Sequence, residues 1–208
     1  EFINSGMTLI TDIESDKHLK KAKYKNCKDE SKGQKVNWST LLAKNLVMGS
    51  DIEIIDNFLP PYQFKSLQTI LMGDRFPWYY KSYIAYPEKE DIDYQFCHHF
   101  LGGDGSSNLH LMDSFQKLGR MIRIKSNMRP RTLFHRRSYY HIDDVPGATK
   151  TSIFYVNTCN GYTKFKKSGV KVKTVANRLV SFDSTLEHAA FSQTDEKVRI
   201  VVNFNYEH

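Results

Sequence analysis

From Asp51 onward, hydrophobic and polar residues alternate with the period of an extended chain far more often than with that of a helix. Alternation over Met121–Asn127, Leu133–Ile142, Thr151–Asn157, Lys171–Ala176, Leu179–Phe182 and Val198–Tyr206 predicts six strands, because successive strand side chains point to opposite faces. Ile52, Ile54 and Ile55 predict a further short strand. The run Asp56-Asn57-Phe58-Leu59-Pro60-Pro61 then turns the chain into a helix. Phe64, Leu67, Ile70 and Leu71 give that helix its buried face, and Gly73 ends it. An aromatic cluster, Phe76-Pro77-Trp78-Tyr79-Tyr80, follows; Gly102 to Ser107 reads as a loop and Leu109–Leu118 as a second helix. Helices grouped ahead of many closely spaced strands predict an all-β core with flanking helices, an α+β arrangement built on a sandwich or open barrel.

The first fifty residues differ in kind. Residues 1–6 read as an expression scar ahead of Met7, and 7–50 as a lysine-rich N-terminal extension. Trp38, Leu41, Leu42 and Leu46 form one short helical stripe there, and the single globular domain is expected to span 51–208. The net charge of +7 would favour acidic partners such as nucleic acid, but much of the excess sits in that extension. A second basic cluster, Arg123, Lys125, Arg129, Arg131, Arg136 and Arg137, runs toward the candidate site below and is expected on an exposed outer sheet face. Three scattered cysteines, Cys27, Cys97 and Cys159, lack both a disulfide framework and a zinc-knuckle spacing. No apolar run approaches the roughly 18 residues of a membrane helix, and no signal peptide is recognisable. The expectation is a cytoplasmic protein of a reducing compartment, without a membrane partner.

The chemistry is carried by a spaced set: His141-Ile142-Asp143, then His188, then Arg199 at the head of an apolar strand. Two imidazoles and one carboxylate are the donors of the facial triad that holds non-haem Fe(II) with positions left open. His141 and Asp143 are two apart, so an extended backbone presents both to one side, while a distant strand supplies His188. Asp144 has the wrong parity for that side. His135 shares the parity of His141 as a weaker candidate, and Cys97-His98-His99 reads as structural because strand neighbours face opposite ways. Arg199 shares a face with Val201, Asn203 and Asn205, opposite Ile200, Val202 and Phe204. A guanidinium leading a buried strand needs a partner. That partner is either a carboxylate of the chain, Asp183 or Glu187, or a carboxylate arriving with a co-substrate.

In order along the chain, His141-Ile142-Asp143, Thr151–Asn157, Asn160-Gly161-Tyr162-Thr163, Asn177–Ser184, His188 and Arg199 resemble the 2-oxoglutarate/Fe(II)-dependent dioxygenase superfamily. Within it they are most similar to small members of the prolyl-4-hydroxylase-like branch, as are Ile55–Pro60 and Ile122–Asn127. The resemblance implies a double-stranded β-helix, the jelly-roll or cupin-like barrel, with iron held by His141, Asp143 and His188. It implies that Arg199, helped by Tyr155, pairs with the far carboxylate of 2-oxoglutarate, and that Thr163, Ile153, Phe182 and Asn203 line the same pocket. Asn160-Gly161 stands where many relatives have two glycines, and Arg199 where collagen-type enzymes carry lysine.

The implied cofactor set is Fe(II), 2-oxoglutarate and O2, with ascorbate as an optional addition. The implied reaction hydroxylates a substrate C–H while 2-oxoglutarate leaves as succinate and CO2. A peptidyl side chain such as proline is the first substrate expectation, and a nucleic acid or small molecule the second. Trp78, Tyr79 and Arg137 are the candidate substrate contacts, since aromatic rings stack a proline or a base. Two readings of another class stand beside these: a non-catalytic β-helix binding module, and a nucleic-acid binder acting through the lysine-rich extension. Oligomeric state is not legible.

Overall fold

The computed structural model of the chain describes residues 51–85, 93–103 and 105–208. The expectations for residues 1–6 and 7–50, with Cys27 and the stripe from Trp38 to Leu46, lie outside the described residues.

In chain order the elements are β1 (Ile52–Asp56), α1 (Pro61–Leu71), β2 (Tyr79–Lys81), β3 (Gln95–Leu101), a 3-10 helix (Leu109–Leu118), β4 (Arg120–Pro130), β5 (Lys150–Tyr155), β6 (Tyr162–Phe165), β7 (Lys171–Lys173), β8 (Arg178–Asp183), β9 (His188–Phe191) and β10 (Val198–Glu207). Seven strands form one sheet in the order β1-β8-β5-β10-β4-β3-β2, and three form a second in the order β7-β6-β9. Every pairing is antiparallel. The strands are the two sheets of a jelly roll, the all-β core with flanking helices that the alternation predicts.

The two faces of the large sheet have different work. Phe154, Val156, Leu179, Ile200, Val202 and Phe204 on the outer face pack beneath Leu67 and Leu71 of α1 and Met112 and Phe115 of the 3-10 helix. Ile153, Tyr155, Val180, Phe182 and Val201 on the inner face meet Phe165 and Val172 of the small sheet. Burying each large apolar side chain stabilises the fold by about 1.5–3 kcal/mol. The outer face of β10 thus offsets the cost of the arginine and asparagines carried on its inner face. Asn177 locks the entry to α1: at φ 62° its side chain accepts from Leu59 N–H at 2.9 Å and donates to Leu59 O at 2.8 Å. Asparagine tolerates that left-handed conformation better than most residues.

Several elements differ from expectation. Leu133–Ile142 is not a strand: Leu133 and Phe134 are 90% and 76% exposed, so its alternation faces no core. Side-chain hydroxyls take over there, with Ser192 accepting from Arg136 N–H and Ser138 from Ala190 N–H. Two isolated bridges remain, Arg137 to Phe191 and His141 to His188. Leu109–Leu118 is a 3-10 rather than an α-helix, and Lys171–Ala176 shortens to β7. Alternation gave no bounds for β2, β3, β6 and β9, which are short or flanked by polar residues.

Candidate active site

The bridge between His141 and His188 is the floor of the site. Their backbones exchange hydrogen bonds at 3.1 and 2.9 Å, and their ring centroids lie 4.6 Å apart. Each ring is oriented the same way: Nδ1 of His141 is 3.0 Å from Tyr139 O, and Nδ1 of His188 is 3.0 Å from Leu186 O. A carbonyl can only accept, so Nδ1 carries a proton in each ring and Nε2 is the acceptor of the neutral tautomer. Asp143 completes the group, with one donor atom of each residue within 4.8 Å of the others. Among the described residues this is the one cluster of three such side chains.

Charge states suit a cation. Burial pushes the Asp143 carboxyl up, but His188, His141, Arg123 and the Asn205 amide together hold it below its ordinary value, so it is ionised. Burial, opposed by the Asp143 carboxylate, holds His188 below the ordinary imidazole value, so it is neutral. The carboxylate is also braced. Arg123 Nη2 reaches Asp143 Oδ1 at 3.4 Å, and Asn205 Nδ2 reaches Oδ2 at 3.3 Å. Asn205 in turn donates to Thr151 Oγ1 at 2.9 Å and accepts from Arg123 Nε at 2.9 Å. These supports went unread in the sequence, although Asn205 shares the parity of Arg199 and Arg123 pairs with it across the β4–β10 ladder.

Arg199 lies 3% exposed on the inner face of β10 and lines the same cavity, of about 270 Å³, as the triad. Its Nε donates to Thr174 Oγ1 at 2.8 Å and its Nη2 to Thr163 Oγ1 at 3.2 Å, while Tyr155 lies 5.5 Å from the guanidinium carbon. No carboxylate among the described residues pairs with it. Both internal candidates are engaged elsewhere, Asp183 with Thr185 and Glu187 with Lys166. Tyr155, kept protonated by burial, donates to Thr163 Oγ1 at 2.9 Å. Thr163 therefore accepts twice and keeps its own proton to give. Gly161 closes this pocket from behind: a Cβ there would lie 2.9 Å from Phe191 O and 3.0 Å from Arg199 Cδ. Gly161→Ala is expected to push the guanidinium out of place, at about 1–3 kcal/mol of overpacking. Calorimetric titration of 2-oxoglutarate should show weaker binding to the variant, with iron affinity retained.

Other residues fall variously. Ile153, Thr163 and Asn203 line the cavity, and Asn203 keeps its Oδ1 buried without a partner. Phe182 does not line it; its ring packs behind His188 at 4.9 Å, holding the imidazole rather than a ligand. Trp78 packs on Phe76 at 5.1 Å against the helix-side core and lines neither this cavity nor its neighbour. Arg137 is exposed with its guanidinium 5.0 Å from the Tyr140 ring, away from the cavity. Tyr79 lines a second cavity, of about 600 Å³, that shares Arg123 and Lys125 with the first. The basic cluster is not one outer face: Arg123, Lys125 and Arg129 line the inner cavity, because their parity on β4 matches that of Arg199 on β10. Asp144 is exposed at the cavity rim, outside the three-residue cluster. His135 bonds to Ser192 O at 2.6 Å. Cys97, His98 and His99 sit on β3, with His98 Nδ1 2.9 Å from Pro77 O.

No protein-family model matches the chain, and no curated protein matches it in sequence. Solved structures do. A prolyl hydroxylase from Trichoplax adhaerens, in complex with a hypoxia inducible factor oxygen degradation domain peptide fragment, matches with a TM-score of 0.55 at 14% identity, over 82% of this chain and 93% of that one. The viral collagen prolyl hydroxylase of Paramecium Bursaria Chlorella virus-1, as its 2OG complex, matches with a TM-score of 0.52 at 15% identity, over 76% and 96%. The non-heme alpha ketoglutarate dependent carbocyclase SnoK of nogalamycin biosynthesis matches with a TM-score of 0.55 at 10% identity, over 79% and 82%. The chain has the fold these oxygenases share.

Proposed function

We propose that this protein is an Fe(II)- and 2-oxoglutarate-dependent oxygenase that hydroxylates a substrate C–H, with a peptidyl side chain such as proline as the preferred substrate. One observation carries the reading: two imidazoles, each with Nδ1 turned to a backbone carbonyl, and an ionised carboxylate share a cavity with a buried arginine that has no carboxylate partner among the described residues. The first group fits a divalent cation that needs open positions. The second fits a dicarboxylate whose far end enters the barrel, because an unpaired buried guanidinium is costly until an anion arrives.

Bound iron with 2-oxoglutarate supplies oxygen activation, 2-oxoglutarate leaving as succinate and CO2. The chain's own share is positioning. His141, Asp143 and His188 would hold the metal on one side, and the carbonyls behind each Nδ1 fix the rings. Arg199 and the Thr163 hydroxyl would orient the co-substrate, with two charge-assisted bonds available from the guanidinium fork. Ile153, Val201 and Ala190 give the cavity an apolar wall that excludes water near the reacting atoms. Tyr79, with Tyr80 and Tyr83, walls the adjoining cavity where a peptide could lie. The likeness to two prolyl hydroxylases favours the prolyl substrate at the level of fold, while the carbocyclase shares that fold. The expected exposed basic strip for nucleic acid loses Arg123, Lys125 and Arg129 to the cavity.

Anaerobic titration with Fe(II) and then 2-oxoglutarate tests the reading by visible absorption. A weak metal-to-ligand charge-transfer band that requires both additions is expected. Iron bound without any band would sink the oxygenase assignment and leave a metal-holding β-helix module.

A further inference from the structure

Once a divalent cation and a dicarboxylate are placed as proposed above, their charges are met by Asp143 and Arg199, and the cavity still holds cations. Arg129 already pairs with Asp93 at 3.1 Å. Arg123 braces Asp143. Lys125 is different. It lies on β4 between His99 of β3 and Asn203 of β10 in the cross-strand row, and it lines both cavities, so it stands at their junction. It has no carboxylate partner among the described residues, and neither has Lys81, which lines the outer cavity.

The surroundings record that excess of positive charge. His99, beside Lys125, is pulled down to about 4 by burial and then by Lys125, Arg123 and Lys81. The neighbouring Asn203 Oδ1 is a buried acceptor with nothing donating to it. A ligand that bridges these two positions needs an anion for the ammonium and an N–H for the amide oxygen. An amino-acid or peptide unit with a carboxylate offers both. The same basic lining already takes carboxylates of the chain itself: Asp93 on Arg129 at 3.1 Å, and Asp143 on Arg123 at 3.4 Å.

We infer that Lys125 is a specificity-determining residue that takes a carboxylate of the primary substrate at the junction of the two cavities, and that the substrate is therefore an acidic peptide segment or an amino acid with a free carboxylate. The inference rests on the oxygenase reading, and it assigns to the substrate a different cation from the one assigned to 2-oxoglutarate. Lys81 sits across the outer cavity as a second attraction for the same charge.

The test uses the full chain, anaerobic, with Fe(II) and saturating 2-oxoglutarate, and matched probes that differ in one charge. Acetyl-Asp-Pro-amide against acetyl-Asn-Pro-amide is the peptide arm, and L-proline against L-prolinamide the amino-acid arm. Acetyl-phosphoserine-Pro-amide is the phosphate control. Binding is read by calorimetry, so turnover is not required. In at least one arm the carboxylate probe should bind about tenfold tighter than its amide partner, the order of one charged contact. Lys125→Met should remove that preference while leaving 2-oxoglutarate affinity unchanged, and Lys125→Arg should restore it. Equal binding within both pairs by the wild-type protein would overturn the assignment, whether or not the variants fold. So would preference for the phosphate probe, survival of the preference in Lys125→Met, or an equal loss of 2-oxoglutarate binding. A charge-transfer band without charge discrimination would sink this inference alone. Discrimination without the band would sink the oxygenase reading instead.

Discussion

Arg199→Ala is expected to weaken 2-oxoglutarate binding by about 30-fold or more, while Fe(II) binds as in the parent protein. The figure follows from truncating one partner of a buried, hydrogen-bonded charge pair, which costs about 2 kcal/mol or more. The contrast follows from geometry. Arg199 hydrogen-bonds to Thr174 and Thr163, whereas the Asp143 carboxylate is braced by Arg123 and Asn205. A second readout separates this role from a structural one. Arg199 has no carboxylate partner among the described residues, so its burial is a cost to the ligand-free protein. Arg199→Met should therefore hold or raise the melting temperature without 2-oxoglutarate and lose the stabilisation that 2-oxoglutarate confers on the parent. A large fall in the ligand-free melting temperature, or an equal loss of iron and 2-oxoglutarate, would show that the arginine serves the fold or the metal site instead.

How far the site could be read from sequence depended on strand parity. Arg199, Val201, Asn203 and Asn205 were separable from Ile200, Val202 and Phe204 by alternation alone, and the two groups lie on opposite faces of β10. The same rule applied to Arg123, Lys125 and Arg129 shows that they share one face. It could not say which face, because Met121, Ile122, Ile124 and Met128 surround them with apolar residues on both parities. Only the register of β4 against β10 turns them inward. Parity also brought His141 and Asp143 together, although the chain there is held by isolated bridges rather than a ladder. The misplacement of Trp78 and Arg137 has another cause. Exposed or amphipathic side chains carry no periodic signal, so their direction is decided by neighbours such as Phe76 and Tyr140. Hydroxyl relays such as Tyr155–Thr163–Arg199–Thr174 join residues up to 44 positions apart, and no local pattern announces them.

Asp143→Ala is expected to abolish Fe(II) binding and with it the charge-transfer band, since two imidazoles alone lack the anionic donor of the triad. The informative companion is Asn205→Ala, which touches no metal. Asn205 holds Asp143 Oδ2 and ties the carboxylate to Thr151 and Arg123. Loss of such an orienting partner typically weakens metal binding by about 10–100-fold. It should also change the pH dependence in a definite direction. The Asp143 carboxyl is held below its ordinary value partly by the Asn205 amide, so the ligating carboxylate is present above that depressed value and lost as pH falls through it. Removing the amide raises the carboxyl, so protons compete with the metal at higher pH. Burial holds His188 below the ordinary imidazole value, which favours its neutral form on the way down from neutrality. Equilibrium dialysis of Fe(II) under argon, repeated across pH, should show the release midpoint of Asn205→Ala displaced upward from that of the parent. An unchanged midpoint with weakened binding at every pH would mean that Asn205 sets only the direction of the carboxylate and not its charge.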